Sequence, residues 1–203
     1  MMKTKYSQGN CDNLCGVYAS INAALLSTEG LAKFNKKQVR EWFQLIIADL
    51  SKHRKLLTVH KEGSPVELVE NYIRLLQTKL ADNVILSYYK PFTDQTRTST
   101  ALKKLSILAN QKNTAIVVGI QGFYDHWSVL DKIQNNRLYL NDSDSLKFLN
   151  IKNMPKRYNL TVEDTIVIKA EACKNEVYRD CTPEKLCKQS QKPYLLHTCK
   201  PKS

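Results

Sequence analysis

Apolar residues recur at helical spacing in the first third of the chain and at strand spacing further on. In residues 13–27, Val17, Ile21, Ala24 and Leu25 lie on one face of a predicted helix, with Asn13 as its cap. Residues 35–51 predict a second helix, capped by Asn35 and striped by Val39, Trp42, Phe43, Ile46 and Leu50. Ser64-Pro65 predicts the start of a third, with Ser at the cap and Pro in the first turn, running to about Leu80. Its apolar face is Val66, Val69, Ile73 and Leu76.

The period then changes. Residues 84–89 predict a strand, 99–110 a helix, and 115–120 a short buried strand. Residues 127–133 and 137–141 predict a hairpin around Gln134-Asn135-Asn136, because Asn tolerates positive φ. Residues 165–170 are the last strand candidate. Helices first and antiparallel strands later predict an α+β fold with segregated layers.

The 203 residues suit one domain with a core of its own. Composition shifts after about Glu171, which divides the chain into a 1–171 domain and a Cys-rich basic extension over 172–203. Apolar residues at 42% and charged residues at 25% exclude a disordered or fibrous chain. No apolar run reaches the roughly 18 residues of a membrane span. The net charge of +12 favours an acidic partner, without choosing among nucleic acid, anionic lipid and protein. No Gly-rich phosphate loop and no aromatic-basic ladder of nucleic-acid type occurs. The N-terminus lacks an apolar segment, so the expected compartment is the cytoplasm, with signal-less export as the other route.

Six cysteines fall into two groups, Cys11 and Cys15 near the start and Cys173, Cys181, Cys187 and Cys199 near the end. Cys15, followed by Gly16, opens the first helix, where N–H groups and the helix dipole favour thiolate over thiol. The glycine would give a substrate backbone room to approach. His126 begins a strand, followed by Trp127, which would shield an ion pair from water. If the hairpin forms, Asp142 returns beside His126 and accepts its ring N–H. Asn141 and Asp144 are rivals for that place. Gln8, seven residues before Cys15, would supply an amide donor to an oxyanion. Each residue alone has a bland reading as core, loop or turn. Together they describe a thiolate–imidazolium nucleophile with an orienting acid.

Gln8, then Leu14-Cys15-Gly16-Val17-Tyr18-Ala19 with Asn22-Ala23, then His126-Trp127-Ser128-Val129, then Asp142-Ser143 resemble the papain-like cysteine peptidases. The resemblance is strongest to compact bacterial members and extends to the leader-peptide-cleaving domains of bacterial exporters. It covers about residues 6–145. It implies a papain-like α+β fold, with the nucleophile at a helix start packed on a sheet carrying His and Asp. In its terms Cys15 is the nucleophile, His126 the base, Asp142 the orienting residue and Gln8 the oxyanion amide, with no metal or organic cofactor. The expected partner is a protein or peptide substrate, with an acidic surface as one possibility. Transfer of the acyl group to an amine, and an inactive binding module, are the alternatives.

The four C-terminal cysteines lack the tight pairs of zinc sites, so zinc (with His197), disulfides and free thiols all stay open. Cys11 is expected to be a loop thiol, or a regulatory partner of Cys15. Lys52–Lys61, with His53, Arg54, Lys55 and His60, predicts a solvated helix end or loop, or else a patch for an acidic partner.

Overall fold

The computed structural model describes residues 13–173 apart from 83, 124 and 155. Gln8, Cys11, Cys181, Cys187, His197 and Cys199 lie outside the described residues. The elements run α1 (Cys15–Ser27), α2 (Lys36–Lys52), α3 (Leu56–Glu62), α4 (Val66–Leu80), β1 (Val84–Tyr89), α5 (Thr98–Leu108), β2 (Thr114–Gly122), β3 (His126–Gln134), β4 (Arg137–Leu140), β5 (Phe148–Asn150) and β6 (Tyr158–Ala172). A short 3-10 turn, Ile151–Asn153, separates the last two strands. The fold is α+β, with helices packed on a six-stranded antiparallel sheet of order β1-β6-β2-β3-β4-β5.

Alternation along the strands sends side chains to two cores. Ala115, Val117, Trp127, Val129, Ile166 and Ile168 join the buried faces of α1, α2 and α4. Ile116, Val118, Leu130 and Val167 face the other way, toward Ala101, Leu105 and Leu108 of α5. α1 is buried along nearly its whole length because it lies between α2, α4 and the sheet. A helix enclosed on all sides needs no amphipathic stripe, and this one has only a weak one.

Asn35 caps α2 as expected, in a reciprocal box with Gln38 (3.0 and 2.9 Å). Two other caps differ from expectation. α1 begins at Cys15, two residues later than the pattern suggests, with Leu14 at the cap position. Asn13 takes a left-handed φ of 43° and donates its Nδ2 to the His60 carbonyl at 2.8 Å instead. α4 begins at Val66, with Pro65 as its N-cap. The Ser64 hydroxyl turns inward to the Tyr72 hydroxyl at 3.2 Å.

α3 occupies the stretch expected to be a solvated helix end or loop, and Val59 pins it to the core. β6 is far longer than the 165–170 strand that the pattern marks. Its pairing with β2 jumps from Val117–Ile166 to Gly119–Thr161, so extra residues bulge out and the in–out alternation reverses. Asn135 and Asn136 both have positive φ, 51° and 59°, in the β3–β4 turn, as expected for that hairpin. None of the described helices is long and apolar enough to cross a membrane.

Candidate active site

Cys15 is the first residue of α1 and is buried, with a free thiol. Leu14, at the cap position, has no polar side chain to offer the first-turn N–H groups. The positive end of the helix is therefore available to an anion beside the sulfur.

The glycine that follows answers a packing demand, not the access expected from the sequence. A Cβ on Gly16 would lie 2.8 Å from the Ser64 Cβ, 2.9 Å from its Oγ and 3.1 Å from the Val69 Cγ2. Ser64 also accepts the Trp127 indole N–H on its carbonyl at 2.7 Å. One residue thus touches the neighbour of Cys15 and the neighbour of His126, and its hydroxyl is fixed by Tyr72. Trp127 itself lies in the core under α1. Its indole acts as a strut between β3 and the Ser64 carbonyl. Burial holds the Tyr72 phenol up to about 12, so it stays a neutral hydroxyl at any working pH.

Gly16→Ala sets a helix-propensity gain of about 1 kcal/mol against overpacking of about 1–3 kcal/mol. The expected result is a net loss of roughly 1 kcal/mol by urea unfolding, with a further fall in Cys15 reactivity because the helix start must move.

His126 is the first residue of β3, after a turn shaped by Gly122. Gly122 has φ 106°, and a Cβ there would meet the Arg157 carbonyl at 2.7 Å. Phe123 N–H donates to that same carbonyl at 2.9 Å, which anchors the loop ahead of the histidine. Asp142 arrives from the other side. Past the end of β4, Asn141 N–H donates to the Val129 carbonyl at 2.8 Å and carries the chain alongside β3. Asp142 then meets the ring, with Oδ2 2.7 Å from Nε2.

The carboxylate is 1% exposed and the imidazole side chain 13%. Asp142 Oδ1 accepts the Asp144 and Leu146 N–H groups at 2.8 and 3.1 Å. Asp144 is exposed and contributes this backbone N–H, while Asn141 contributes its backbone pairing. Of the three rivals, Asp142 is the one brought to the ring.

The Cys15 sulfur lies near enough to the His126 ring to raise its pKa. With Nε2 engaged by Asp142, Nδ1 is the nitrogen left for the sulfur. Burial alone would lower the ring's pKa, but the Asp142 bond and charge, joined by the influence of the nearby Cys15, push it up to about 10. Burial alone would raise the Asp142 pKa. The His126 bond and charge and the backbone N–H of Leu146 outweigh it, so the carboxyl titrates below its ordinary range. The ring is therefore imidazolium at neutral pH, between a carboxylate and a sulfur.

Among the described residues, no cluster of three His, Cys, Asp or Glu side chains could hold a metal ion. The Ser64–Tyr72–Trp127 linkage was not legible from the sequence. Ser64 reads as a helix cap and Tyr72 as a residue beside a helical stripe, and neither carries a signal of what lies across from it.

No family model matches the chain, and no curated protein does. Among solved structures, the chain is similar to the peptidase domain of Streptococcus ComA, a bifunctional ABC transporter involved in quorum sensing. The two share 16% identity, with 85% of this chain and 100% of that chain covered and a TM-score of 0.46. It is also similar to a double-glycine-motif protease from an AMS/PCAT transporter in complex with its leader peptide. Here identity is 15%, coverage 84% of this chain and 91% of that chain, and the TM-score 0.45.

Proposed function

We propose that the chain is a papain-like cysteine peptidase or isopeptidase working through Cys15, His126 and Asp142. The observation that carries this reading is the imidazole bonded to a buried carboxylate, with the thiol at a helix start near enough to act on the ring's charge. Nothing in a merely structural histidine calls for both partners at once.

In the proposed mechanism the Cys15 thiolate attacks the substrate carbonyl carbon. The carbonyl π electrons move to oxygen, and the resulting oxyanion is held by the Cys15 N–H and the Gln8 amide. The tetrahedral intermediate collapses, the C–N bond breaks, and the His126 imidazolium protonates the departing amine. The ring, now neutral, takes a proton from water as the water attacks the thioester. The acid product leaves, and the thiolate–imidazolium pair is restored. Asp142 holds the ring in place throughout and balances its charge.

Iodoacetamide labelling at pH 6.5, mapped by mass spectrometry, tests the pair. An ordinary thiol is only about 1% thiolate there. Cys15 is expected to label ahead of the other cysteines, and His126→Ala is expected to slow it by up to about a hundredfold. Equal, slow labelling of all six cysteines would end the proposal. Peptide and ubiquitin-like electrophile probes, followed by mass readout of the Cys15 adduct, then separate peptidase from isopeptidase.

A further inference from the structure

Ser128 lies two residues past His126 on β3 and is 1% exposed. Trp127 and Val129 turn toward α1, so Ser128 is on the other face of the strand with Leu130. Its neighbour in the β2 register is Val118, which belongs to the same apolar cluster as Leu130. The Ser128 hydroxyl makes no hydrogen bond to any described residue. A buried hydroxyl left in that state costs stability that an aliphatic side chain at the same place would not.

The strand register shows what the hydroxyl faces. Leu130 pairs with Leu140, and the Asn141 N–H donates to the Val129 carbonyl at 2.8 Å, which carries the same pairing one residue past the end of β4. One step further, Ser128 comes opposite Asp142. In an antiparallel ladder a hydrogen-bonded pair is followed by a non-hydrogen-bonded one, where the facing side chains stand closest. Asp142 reaches diagonally from that position to the His126 ring. Burial would raise the carboxyl's pKa, and Ser128 is near enough to act with His126 and the Leu146 N–H in lowering it.

The charge of the ring decides when the hydroxyl is needed. While His126 is imidazolium, its charge and its N–H both serve the buried carboxylate. Once the ring has protonated a departing amine it is neutral, and the carboxylate keeps its charge with less to balance it. We propose that Ser128 is a positioning residue for Asp142, whose hydroxyl turns to donate to the carboxylate while the ring is neutral. The turn is a rotation about the Cα–Cβ and Cβ–Oγ bonds, and no covalent bond changes. It stabilises the state in which the ring has given its proton away, and so speeds expulsion of the amine. The inference rests on the peptidase reading.

The test compares the full-length wild-type, Cys15→Ala and Ser128→Ala proteins in two assays. One is turnover of a quenched peptide chosen from a library that the wild-type protein cuts, and the other is iodoacetamide labelling of Cys15 at pH 6.5. Ser128→Ala is expected to lower kcat about tenfold, the worth of one hydrogen bond to a charged group, with KM within about twofold of wild type. Its Cys15 labelling rate is expected to stay within about twofold, because the thiolate–imidazolium pair forms without the hydroxyl. Its melting temperature is not expected to fall, since alanine leaves no buried donor unpaired. A kcat within about twofold of wild type would overturn the role of Ser128 and leave the peptidase reading standing. A fall in kcat matched by an equal fall in labelling, or accompanied by early melting, would overturn it too, for the serine would then shape the resting pair or pack the sheet. No Cys15-dependent cleavage by the wild-type protein would overturn both.

Discussion

Asp142→Asn is expected to lower the kcat of peptide hydrolysis by roughly 10³–10⁴-fold, although asparagine has almost the same shape. The reason lies in the loop after β4. Asp142 Oδ1 accepts two backbone N–H groups, from Asp144 and Leu146, which leaves Oδ2 for the ring. An asparagine must keep its one carbonyl oxygen toward those two donors, so its amide NH₂ faces His126 Nε2. A donor there requires a ring nitrogen that accepts. That confines the ring proton to Nδ1 and removes the imidazolium on which the sulfur depends. Here the loop orients the group so that only the acid serves. Turnover of a quenched peptide, with the melting temperature as a control for folding, measures the effect. An Asn variant within about threefold of wild type would take Asp142 out of the mechanism.

Stability against urea is expected to decline as pH rises from about 8.5 toward 10, with part of that decline removed in His126→Ala. The ring titrates near 10 when folded and near 6.5 when unfolded. Up to about 8.5 the ring's extra proton is offset by the one the proposed Cys15 thiolate has given up and an ordinary unfolded thiol still holds. From there toward 10 the folded chain holds a proton that the unfolded chain has released, so each increment of pH favours unfolding. Below 6.5 both states are protonated and the contribution is complete. Asp142 acts at the other end. Its folded pKa lies below the ordinary 3.8, so its contribution is present above that value and is lost as pH falls through the folded pKa. His126→Ala also strands a buried carboxylate, at a cost of about 3 kcal/mol near neutral pH. That is the low end for a broken buried pair, because two backbone N–H groups still hold Asp142. Midpoints measured from pH 5 to 10.5 in both proteins decide it, and parallel curves above about pH 8.5 would contradict the buried imidazolium.

Where side-chain pattern follows a regular period, the sequence was legible. α2 and α4 each carry one apolar stripe, β1 falls on residues 84–89 as its pattern indicates, and the two asparagines of the β3–β4 turn adopt the conformation their chemistry permits. The hairpin carries the most weight, because it alone predicted that Asp142 would come back to His126. Elements whose form depends on distant partners were not legible. The first half of β6 hides behind a bulge that reverses its alternation. α3, a heptapeptide whose Lys61 and Glu62 cancel in charge, is pinned to the core by Val59. Gly16 looked like an opening for substrate because a sequence does not show that Ser64, 48 residues on, fills the space (64 − 16 = 48).

Of the described strands, the one made last is wedged into the middle of the sheet. β6 lies between β1 and β2, so until residues 158–172 have left the ribosome, β1 has no neighbour and the β2–β3 hairpin has an open flank. Closing so long a loop is slow, and it joins two halves that share no other strand pairing. Until β6 docks, the sheet that carries His126 lacks its central strand, and the proposed pairing of Cys15 with His126 is expected to gain its full stability only once residues 158–172 are in place.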